Sequence, residues 1–284
     1  MELSYIPSGK IVVALSGGVD SCVLLHVLYQ KTKDIVIAHL NHNIRGSESD
    51  ADQVFVEILA RKYEIPLYQK KLEEAPVSED DARKQRYVFL QEVCDKEHAK
   101  CLAVAHHLDD QAETVLLQLL RGASAFSPMP EFASNNVWRP LLHFSKQDII
   151  EYAQTNQIRW REDASNTENH FSRNKLRNII LPEFEKMNDQ AIKHIVEFSQ
   201  ESLLQKQYIT KQAEKYIAGR TALSRTEFIQ LDSVIQHEII HIFAPQLYKI
   251  HMKEVCLMIH RGIGRKEKHG FTLDMGMIRM KNLL

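Results

Sequence analysis

Apolar residues along the first half of the chain follow two alternating periods. Short runs rich in β-branched residues predict strands buried on both faces, and each run is followed by a segment in which apolar residues recur every three or four positions, as in helices. The predicted strands span residues 10–15, 34–40, 66–70 and 101–105. Strands that alternate with helices of this length are typical of βαβ units. We therefore expect an α/β fold with a doubly wound, mostly parallel sheet.

The rest of the chain predicts mainly helices. A long helical pattern runs over residues 189–219, a capping box at residues 224–227 opens a smaller helical unit, and residues 271–280 predict a strand or hairpin. The expected organisation is a main domain over 1–187, a connecting helix over 188–220 and a small, mainly helical domain over 221–284.

The turn after the first predicted strand carries the clearest candidate chemistry. It reads Ser16-Gly17-Gly18-Val19-Asp20-Ser21 and leads into a helix. The glycines keep Cβ atoms away from a ligand, while the N–H groups of a helix start and the serine hydroxyls suit phosphate oxygens. Asp20 adds a carboxylate, which a magnesium ion would reconcile with phosphate. This is not a Walker A loop, because no G-x-x-x-x-G-K-[ST] pattern occurs.

The turn after the fourth predicted strand is rich in acids and histidines, and it reads Ala105-His106-His107-Leu108-Asp109-Asp110-Gln111-Ala112-Glu113. One aspartate is explained as a helix cap, but a cap does not explain the whole cluster. Asp110 and Glu113 lie three positions apart on one helical face. Such a cluster suits magnesium binding, an amino-group partner or proton removal. Because ligands bind at the carboxyl ends of parallel strands, we expect this turn to lie beside the glycine turn, residues 16–21.

Other stretches offer weaker candidates. His42, in the turn after the second predicted strand, is equally consistent with a hydrogen-bonded turn residue and a nucleotide contact. Arg83 and Arg86 lie three apart on a predicted helix and form either a solvated basic face or a phosphate or carboxylate site. Arg173 and Arg177 supply further guanidinium groups that suit phosphate.

Composition narrows the class of protein. The 284 residues are 44% hydrophobic, enough for a full core, and the formal net charge of −1 means that a nucleic-acid partner needs a local basic patch. The four cysteines contain no C-x-x-C pair, which argues against a zinc or iron–sulfur site and fits a reducing compartment. No apolar run is long enough to span a membrane, and the first residues have no signal-peptide layout. We expect a cytoplasmic protein.

Several stretches occur together in a recognisable order. Besides the glycine turn they are Asn41-His42-x-x-Arg45, Ala82-Arg83-x-x-Arg86-Tyr87, Ala105-His106-His107-x-Asp109-Asp110-Gln111-x-Glu113-Thr114, Arg121-Gly122, Arg139-Pro140-Leu141-Leu142, Glu162-Asp163-x-Ser165-Asn166 and Arg173-Asn174-x-x-Arg177. The chain closely resembles the bacterial tRNA(Ile)-lysidine synthetases of the PP-loop ATP pyrophosphatase superfamily, densely over residues 10–187 and loosely beyond. The resemblance implies the adenine nucleotide alpha hydrolase-like form of the α/β fold.

The resemblance also implies an ATP-dependent carbon–nitrogen ligase. In that family ATP adenylylates the wobble cytidine of the CAU-anticodon tRNA(Ile) and pyrophosphate leaves. The ε-amine of free lysine then displaces AMP to form lysidine, which switches the tRNA from methionine to isoleucine identity. ATP and Mg²⁺ are the implied cofactors, and tRNA(Ile), lysine and a second copy of the chain in a homodimer are the implied partners. Residues 221–284 would bind tRNA; since many relatives continue further, the chain is either a short or a truncated member.

The residues and the resemblance together predict roles by position. The catalytic residues are Asp20, Asp109, Asp110 and Glu113, with Asp20 and Asp110 as magnesium ligands. The ATP-binding residues are Ser16, Gly17, Gly18, Val19, Asp20, Ser21 and His42. The substrate-binding residues are Arg83, Arg86, His106, His107, Arg173 and Arg177.

Other functions stay open on the sequence. A tRNA base thiolase of the same superfamily usually needs paired cysteines, which the chain lacks. An amidotransferase-type synthetase typically brings a glutaminase domain, for which the chain is too short. A nucleotide-binding module without catalysis is a third alternative, and the intact acid-rich turn argues against it.

After Arg121-Gly122 the family tends to be richer in glycine, whereas Ala123, Ala125 and Pro128 stiffen the predicted loop here.

Overall fold

The structure is a computed structural model that describes residues 1–3, 5–44, 46–123, 125–162, 172–220, 222–247, 249–262, 266–274 and 276–280. The motif residues Arg45, Asp163, Ser165 and Asn166 lie outside these ranges. The strands of the first sheet are β1 (Ile11–Ala14), β2 (Ile35–Asn41), β3 (Leu67–Lys71), β4 (Cys101–Ala103) and β5 (Val137–Trp138). The helices among them are α1 (Val19–Tyr29), α2 (Ser47–Tyr63), α3 (Glu79–Lys96), α4 (Leu108–Leu120) and, after β5, α5 (Lys146–Thr155).

All five strands of the first sheet run parallel, in the order β3-β2-β1-β4-β5. The central strand is β1, where Val12 pairs with Val36 on one side and Leu102 on the other. The carboxyl ends of β1, β2 and β4 therefore lie side by side. β5 is shorter than the strand-like run that the sequence shows over residues 138–142, because Pro140 cannot continue a ladder and the chain turns there.

Helices cover both faces of this sheet, as a doubly wound fold requires. Ile11 and Val13 of β1 belong to a core cluster that also contains residues of α1, α2 and α5. Val12, between them, points to the opposite face and belongs to a cluster with Leu90 and Val93 of α3. Since successive strand residues face opposite sides, a run of apolar residues is needed on a strand covered twice. This confirms the predicted fold class.

Two glutamines of α4 hold the segment that follows it. Gln111 donates through Nε2 to the Met129 carbonyl oxygen at 3.0 Å and accepts the Met129 N–H at 2.7 Å. Gln118 makes the same pair of bonds with Ser127, both at 2.9 Å. Each glutamine side-chain amide thus bonds both the N–H and the carbonyl oxygen of one residue, as the backbone of a neighbouring strand would.

A continuous helical run follows the first sheet. It consists of α6 (Ser172–Lys175), a π-helical turn (Leu176–Ile180) and α7 (Leu181–Met187), and the long helix α8 (Ala191–Ile217) comes next. The chain divides into two compact units after Ser199, inside α8. The domain boundaries predicted at residues 187 and 220 remain predictions.

The second unit, Gln200–Leu284, has its own core. Its elements after α8 are β6 (Leu223–Ser224), α9 (Arg225–Phe228), α10 (Ser233–Phe243), α11 (Lys249–Arg261), β7 (Lys266–Lys268), β8 (Phe271–Asp274) and β9 (Met277–Met280). The strands form an antiparallel sheet in the order β6-β9-β8-β7, and β8 and β9 are the predicted hairpin. Phe228, Ile240 and Val255 lie fully buried between this sheet and its helices. No helix in the described part of the chain is both long and apolar enough to cross a membrane.

The core of the first unit yields a stability prediction. Ile37 of β2 is fully buried, so Ile37→Ala leaves a cavity and is expected to lower the free energy of unfolding by about 2–5 kcal/mol. Urea unfolding followed by tryptophan fluorescence reports on this unit, because both tryptophans, Trp138 and Trp160, belong to it. The matched control is Ile58→Ala on the exposed face of α2, which should change stability by less than about 0.5 kcal/mol. Equal losses in the two variants would contradict the assignment of β2 to the core.

Candidate active site

A cavity of about 480 Å³ lies where β1, β2 and β4 end, a size within the range of small-molecule sites. All three turns at these strand ends contribute to its wall. The lining residues that carry polar groups include Ser16, Asp20, Ser21, His39, Asn41, His42, Arg86, His106, Arg161, Glu162 and Arg177. The fold therefore brings together segments that lie far apart in the chain, such as those of Ser16 and Arg177.

The turn between β1 and α1 closes on itself through one hydroxyl. Ser21 Oγ accepts hydrogen bonds from the N–H groups of Ser16 and Gly17, both at 3.2 Å, and donates to the Gly18 carbonyl oxygen at 3.0 Å. Gly17 has a φ of +96°, which an L side chain rarely adopts. The first N–H groups of α1 have no partner within the helix, so this end of α1 suits an anion.

Three histidines that line the cavity each have one buried ring nitrogen without a hydrogen-bond partner among the described residues. Among the described residues, no group hydrogen-bonds His39 Nε2, His42 Nδ1 or His106 Nδ1. Burial lowers the pKa of each, to about 4 for His106, so all three imidazoles are neutral at pH 7. His39 Nδ1 lies 2.8 Å from the Leu15 carbonyl oxygen and must donate to it, which makes His39 Nε2 an acceptor. Neutral nitrogens of this kind suit the hydroxyl and amino groups of a nucleoside.

His107 is the centre of the acidic cluster. Its Nδ1 lies 3.3 Å from Asp109 Oδ2, and its Nε2 lies 3.6 Å from Asp110 Oδ2 and 4.0 Å from Asp20 Oδ2. Burial by itself lowers the pKa of His107, but Asp110, the hydrogen bond to Asp109 and the charge of Asp20 outweigh burial and raise the pKa above its ordinary value. His106 and His107 are adjacent in the chain, yet their pKa values move in opposite directions.

The imidazole in turn keeps two aspartates ionised. Burial by itself raises the pKa of both Asp109 and Asp110, but the attraction of His107 brings each below its ordinary value, with His106 and Arg177 also acting on Asp110. Asp110 Oδ2 also accepts the His107 N–H at 3.0 Å, at the start of α4. Asp110 is therefore the aspartate that caps this helix.

Lys146 joins the cluster through both its main chain and its side chain, at the first position of α5. Its N–H donates to Asp109 Oδ2 at 2.9 Å, and its Nζ lies 2.6 Å from Asp20 Oδ1. Ser145 and Asp148 form the capping box that starts α5. The sequence did not single out this lysine, because a local pattern does not indicate where a charged side chain points.

Glu113 binds two arginines, Arg173 of α6 and Arg177 of the π-helical turn that follows it. It is fully buried on α4; its Oε1 accepts from Arg177 Nε at 2.6 Å and its Oε2 accepts from Arg173 Nε at 2.9 Å. Arg177 Nη2 also donates to Asp110 Oδ1 at 2.8 Å. Burial by itself lowers the pKa of Arg177, but Glu113 and Asp110 more than offset this and raise it. Arg177 lies in the π-helical turn, a geometry frequent at functional sites that no local sequence signal predicts.

The other predicted residues lie nearby with different exposure to the cavity. The guanidinium carbons of Arg83 and Arg86 lie 5.1 and 5.8 Å from the centroid of the Tyr87 ring, and Arg86 lines the cavity. Arg161, which the sequence did not single out, donates its N–H to the Gly17 carbonyl oxygen at 3.0 Å. Its guanidinium group pairs with Asp52 and Glu48 of α2. Arg161 therefore ties the glycine turn to the start of α2.

The carboxylates assigned to magnesium fit that ion unequally. Mg²⁺ in proteins takes one or two carboxylates and completes its shell with phosphate or water oxygens. The Asp110 oxygens are engaged by Arg177 and the His107 N–H, whereas Asp20 has one oxygen paired with Lys146 Nζ and the other, Oδ2, 4.0 Å from His107 Nε2. Asp20 fits a single-carboxylate ligand. Within the described residues no three His, Cys, Asp or Glu side chains cluster around a metal position.

Comparison with known proteins places this geometry in a family. The model of an ATP-binding PP-loop domain matches residues 3–184. The chain belongs to the PP-loop family. The match includes the glycine turn, residues 16–21, which we call the PP-loop below, and the family model indicates ATP as the nucleotide.

Two similar curated proteins carry the same name. The tRNA(Ile)-lysidine synthase of Exiguobacterium sibiricum is 38% identical over 182 residues, which cover 63% of this chain and 44% of that protein. The tRNA(Ile)-lysidine synthase of Clostridioides difficile is 34% identical over 250 residues, 82% of this chain and 54% of that protein. The chain thus spans about half the length of the curated relatives it matches.

A solved structure agrees at the level of the fold. The U34-tRNA thiolase NcsA from Methanococcus maripaludis has a TM-score of 0.55 and 20% identity, covering 68% of this chain and 71% of that one. At this identity the likeness supports the PP-loop fold and nothing finer.

The opposite shifts of the paired histidines can be measured by NMR. The imidazole signals of His107 should titrate above the ordinary pKa of about 6.5, and those of His106 at about 4. His106→Asn and His107→Asn variants assign the two signals. Because the folded-state pKa of His107 is raised, its stabilising effect is complete below about pH 6.5 and is lost as the pH rises through the folded-state value. Titration of both rings near 6.5 would contradict the cluster.

Proposed function

We propose that the chain is a tRNA(Ile)-lysidine synthase, which uses ATP to join free lysine to the wobble cytidine of a CAU-anticodon tRNA(Ile). The observation that carries the proposal is the adjacency of two chemistries at one sheet edge. A cradle for phosphate lies beside a network in which His107 contacts three aspartates, one of which, Asp110, also pairs with Arg177. Arg177 and Arg173 both pair with a fourth carboxylate, that of Glu113. The names of the curated relatives, at 34–38% identity, support the substrate.

The nucleotide side of the reaction fits the cavity. We assign the phosphates to the PP-loop and the first turn of α1, and the nucleoside to the wall with His39, His42 and His106. When ATP adenylylates a base here, its pyrophosphate would leave at the helix start, where N–H groups hold the departing anion. Magnesium, when bound, would neutralise phosphate charge, and Asp20 is the residue that would hold it.

In the second half of the reaction, the protein must recognise both the ε-ammonium group and the carboxylate of lysine. The ε-ammonium of lysine must lose a proton before it attacks, since its ordinary pKa is near 10.4. We assign the ammonium to the ionised Asp109 and Asp110, and the lysine carboxylate or an RNA phosphate to Arg173, Arg177, Arg83 and Arg86. Glu113 acts in this scheme by holding Arg173 and Arg177, since both of its oxygens already accept their N–H groups.

The cysteines argue against the thiolase alternative. All four are unpaired and buried, and burial raises the pKa of Cys22 and Cys94 to about 12 and that of Cys101 and Cys256 to about 11. Sulfur transfer needs a thiolate that is formed near neutral pH and is accessible. These thiols meet neither condition.

The decisive experiment for the proposal is mass spectrometry of tRNA. Transcripts of tRNA(Ile) with a CAU anticodon, incubated with the protein, ATP and lysine, should gain the mass of lysine less one water at the wobble cytidine. Omission of lysine, ATP or protein should each prevent the change, and an elongator tRNA(Met) tests discrimination. Pyrophosphate release without modified tRNA would show nucleotide chemistry on another acceptor, and no release at all would favour a non-catalytic module.

Asp110→Asn tests the amine side. The amide keeps the shape and the cap but removes a negative charge that faces His107 and Arg177. Lysine-dependent turnover should fall at least about tenfold, since an ionised hydrogen-bond partner in a buried site contributes about 1.5–3 kcal/mol. The affinity for ATP should change less than twofold. Asp81→Asn, at the same third position of α3 and also bonded to an N-terminal N–H, is the matched control. Unchanged lysine kinetics in Asp110→Asn would remove this residue from the proposed site.

A further inference from the structure

Lys146 is the cation that touches the PP-loop carboxylate, and neither the motifs nor the relatives' names assign it a role. Its Nζ lies 2.6 Å from Asp20 Oδ1, in the first turn of α1. His107 also lies near Asp20, with its Nε2 4.0 Å from the other carboxylate oxygen, and Arg177 is close enough for the charge of Asp20 to raise its pKa. The ammonium group of Lys146 is in closer contact with Asp20 than the His107 ring is, and it is less buried.

The backbone of Lys146 is held independently of its side chain. Its N–H donates to Asp109 Oδ2, and the Leu108 N–H donates to the Phe144 carbonyl oxygen at 2.9 Å, so the starts of α4 and α5 are tied together. The Ser145–Asp148 box fixes the first turn of α5. Removal of the lysine side chain therefore leaves the anchors of this helix start in place.

Charge balance at the helix start requires such a group. A triphosphate bound to the first N–H groups of α1 would bring several negative charges beside the Asp20 carboxylate, and like charges at this distance repel. The Lys146 and Asp20 side chains are 37% and 29% exposed, and a pair this open is weak enough to exchange partners. Lysine presents a compact charge with three donors, so it can bond a phosphate oxygen and the carboxylate together.

We propose that Lys146 is a phosphate-binding residue of the active site, which Asp20 positions at the PP-loop to contact the β- and γ-phosphates of ATP and the pyrophosphate that leaves. Asp20 holds the ammonium through Oδ1, and it is also the residue that would hold a magnesium ion. This inference rests on the proposed ATP site. It adds Lys146 to that site and makes Asp20 a positioning residue for Lys146 as well as a candidate metal ligand.

The test is calorimetric binding of ATP, inorganic pyrophosphate and AMP to the full chain, with and without Mg²⁺. Lys146→Met should weaken pyrophosphate and ATP binding at least about tenfold and change AMP binding less than about twofold, because AMP lacks the phosphates in question. The loss should occur in both conditions, since an ammonium contact needs no metal. Lys146→Arg should restore part of the affinity.

A matched control exists at the opposite end of the same sheet. Lys10, which directly precedes β1, forms an equally short pair with Glu97, with Nζ at 2.6 Å and similar exposure. Lys10→Met should leave all three affinities unchanged. Equal loss for ATP, pyrophosphate and AMP in Lys146→Met would show a structural role and overturn the proposal, as would unchanged affinity for pyrophosphate.

The positioning by Asp20 is tested by a double-mutant cycle on pyrophosphate affinity. If Asp20 holds the ammonium, the effects of Asp20→Asn and Lys146→Met are not additive; strict additivity overturns this part. Lysidine formation by the wild-type chain is scored separately. A wild type that modifies tRNA while Lys146→Met binds pyrophosphate normally refutes the inference alone, whereas a wild type that binds no ATP refutes the proposed function.

Discussion

One buried imidazole holds the site together. His107 lies within 4.0 Å of carboxylates from two different strand ends, and a proton on its ring offsets the repulsion among Asp20, Asp109 and Asp110 in a poorly hydrated place. The same carboxylates raise the pKa of the ring and so favour its charged form. The position of the PP-loop carboxylate relative to the β4–α4 turn therefore depends on this ring.

Much of the scaffold follows from patterning that is visible in the sequence. Val12 flanked by Ile11 and Val13 is what a strand covered on both faces requires, and the helical periods between such runs leave parallel crossovers as the consistent solution. The three functional turns could be expected at one edge for the same reason. The short β5 could not, because the apolar residues after Pro140 pack in a turn instead of a ladder.

The sequence indicated which residues carry candidate chemistry but not how they pair. The sequence indicated Glu113, Arg173 and Arg177 as chemistry-bearing, but it did not show that Glu113 is enclosed by both guanidinium groups, a contact across 60 or more positions that depends on the π-helical turn. Lys146 and Arg161 escaped because each is an ordinary charged residue locally. Their importance comes from the fold, which brings the side chain of Lys146 to Asp20 and the main chain of Arg161 to Gly17.

The glutamine contacts of α4 affect how the segment after it can vary. Gln111 and Gln118 recognise the peptide groups of Met129 and Ser127 and make no demand on the side chains there. Amino-acid exchanges at residues 127 and 129 should accordingly be tolerated in evolution, whereas an inserted or deleted residue would move a peptide group away from its amide. Because α4 also carries Asp110 and Glu113, such a change of length would act on the acidic cluster through the helix, without any altered residue touching it.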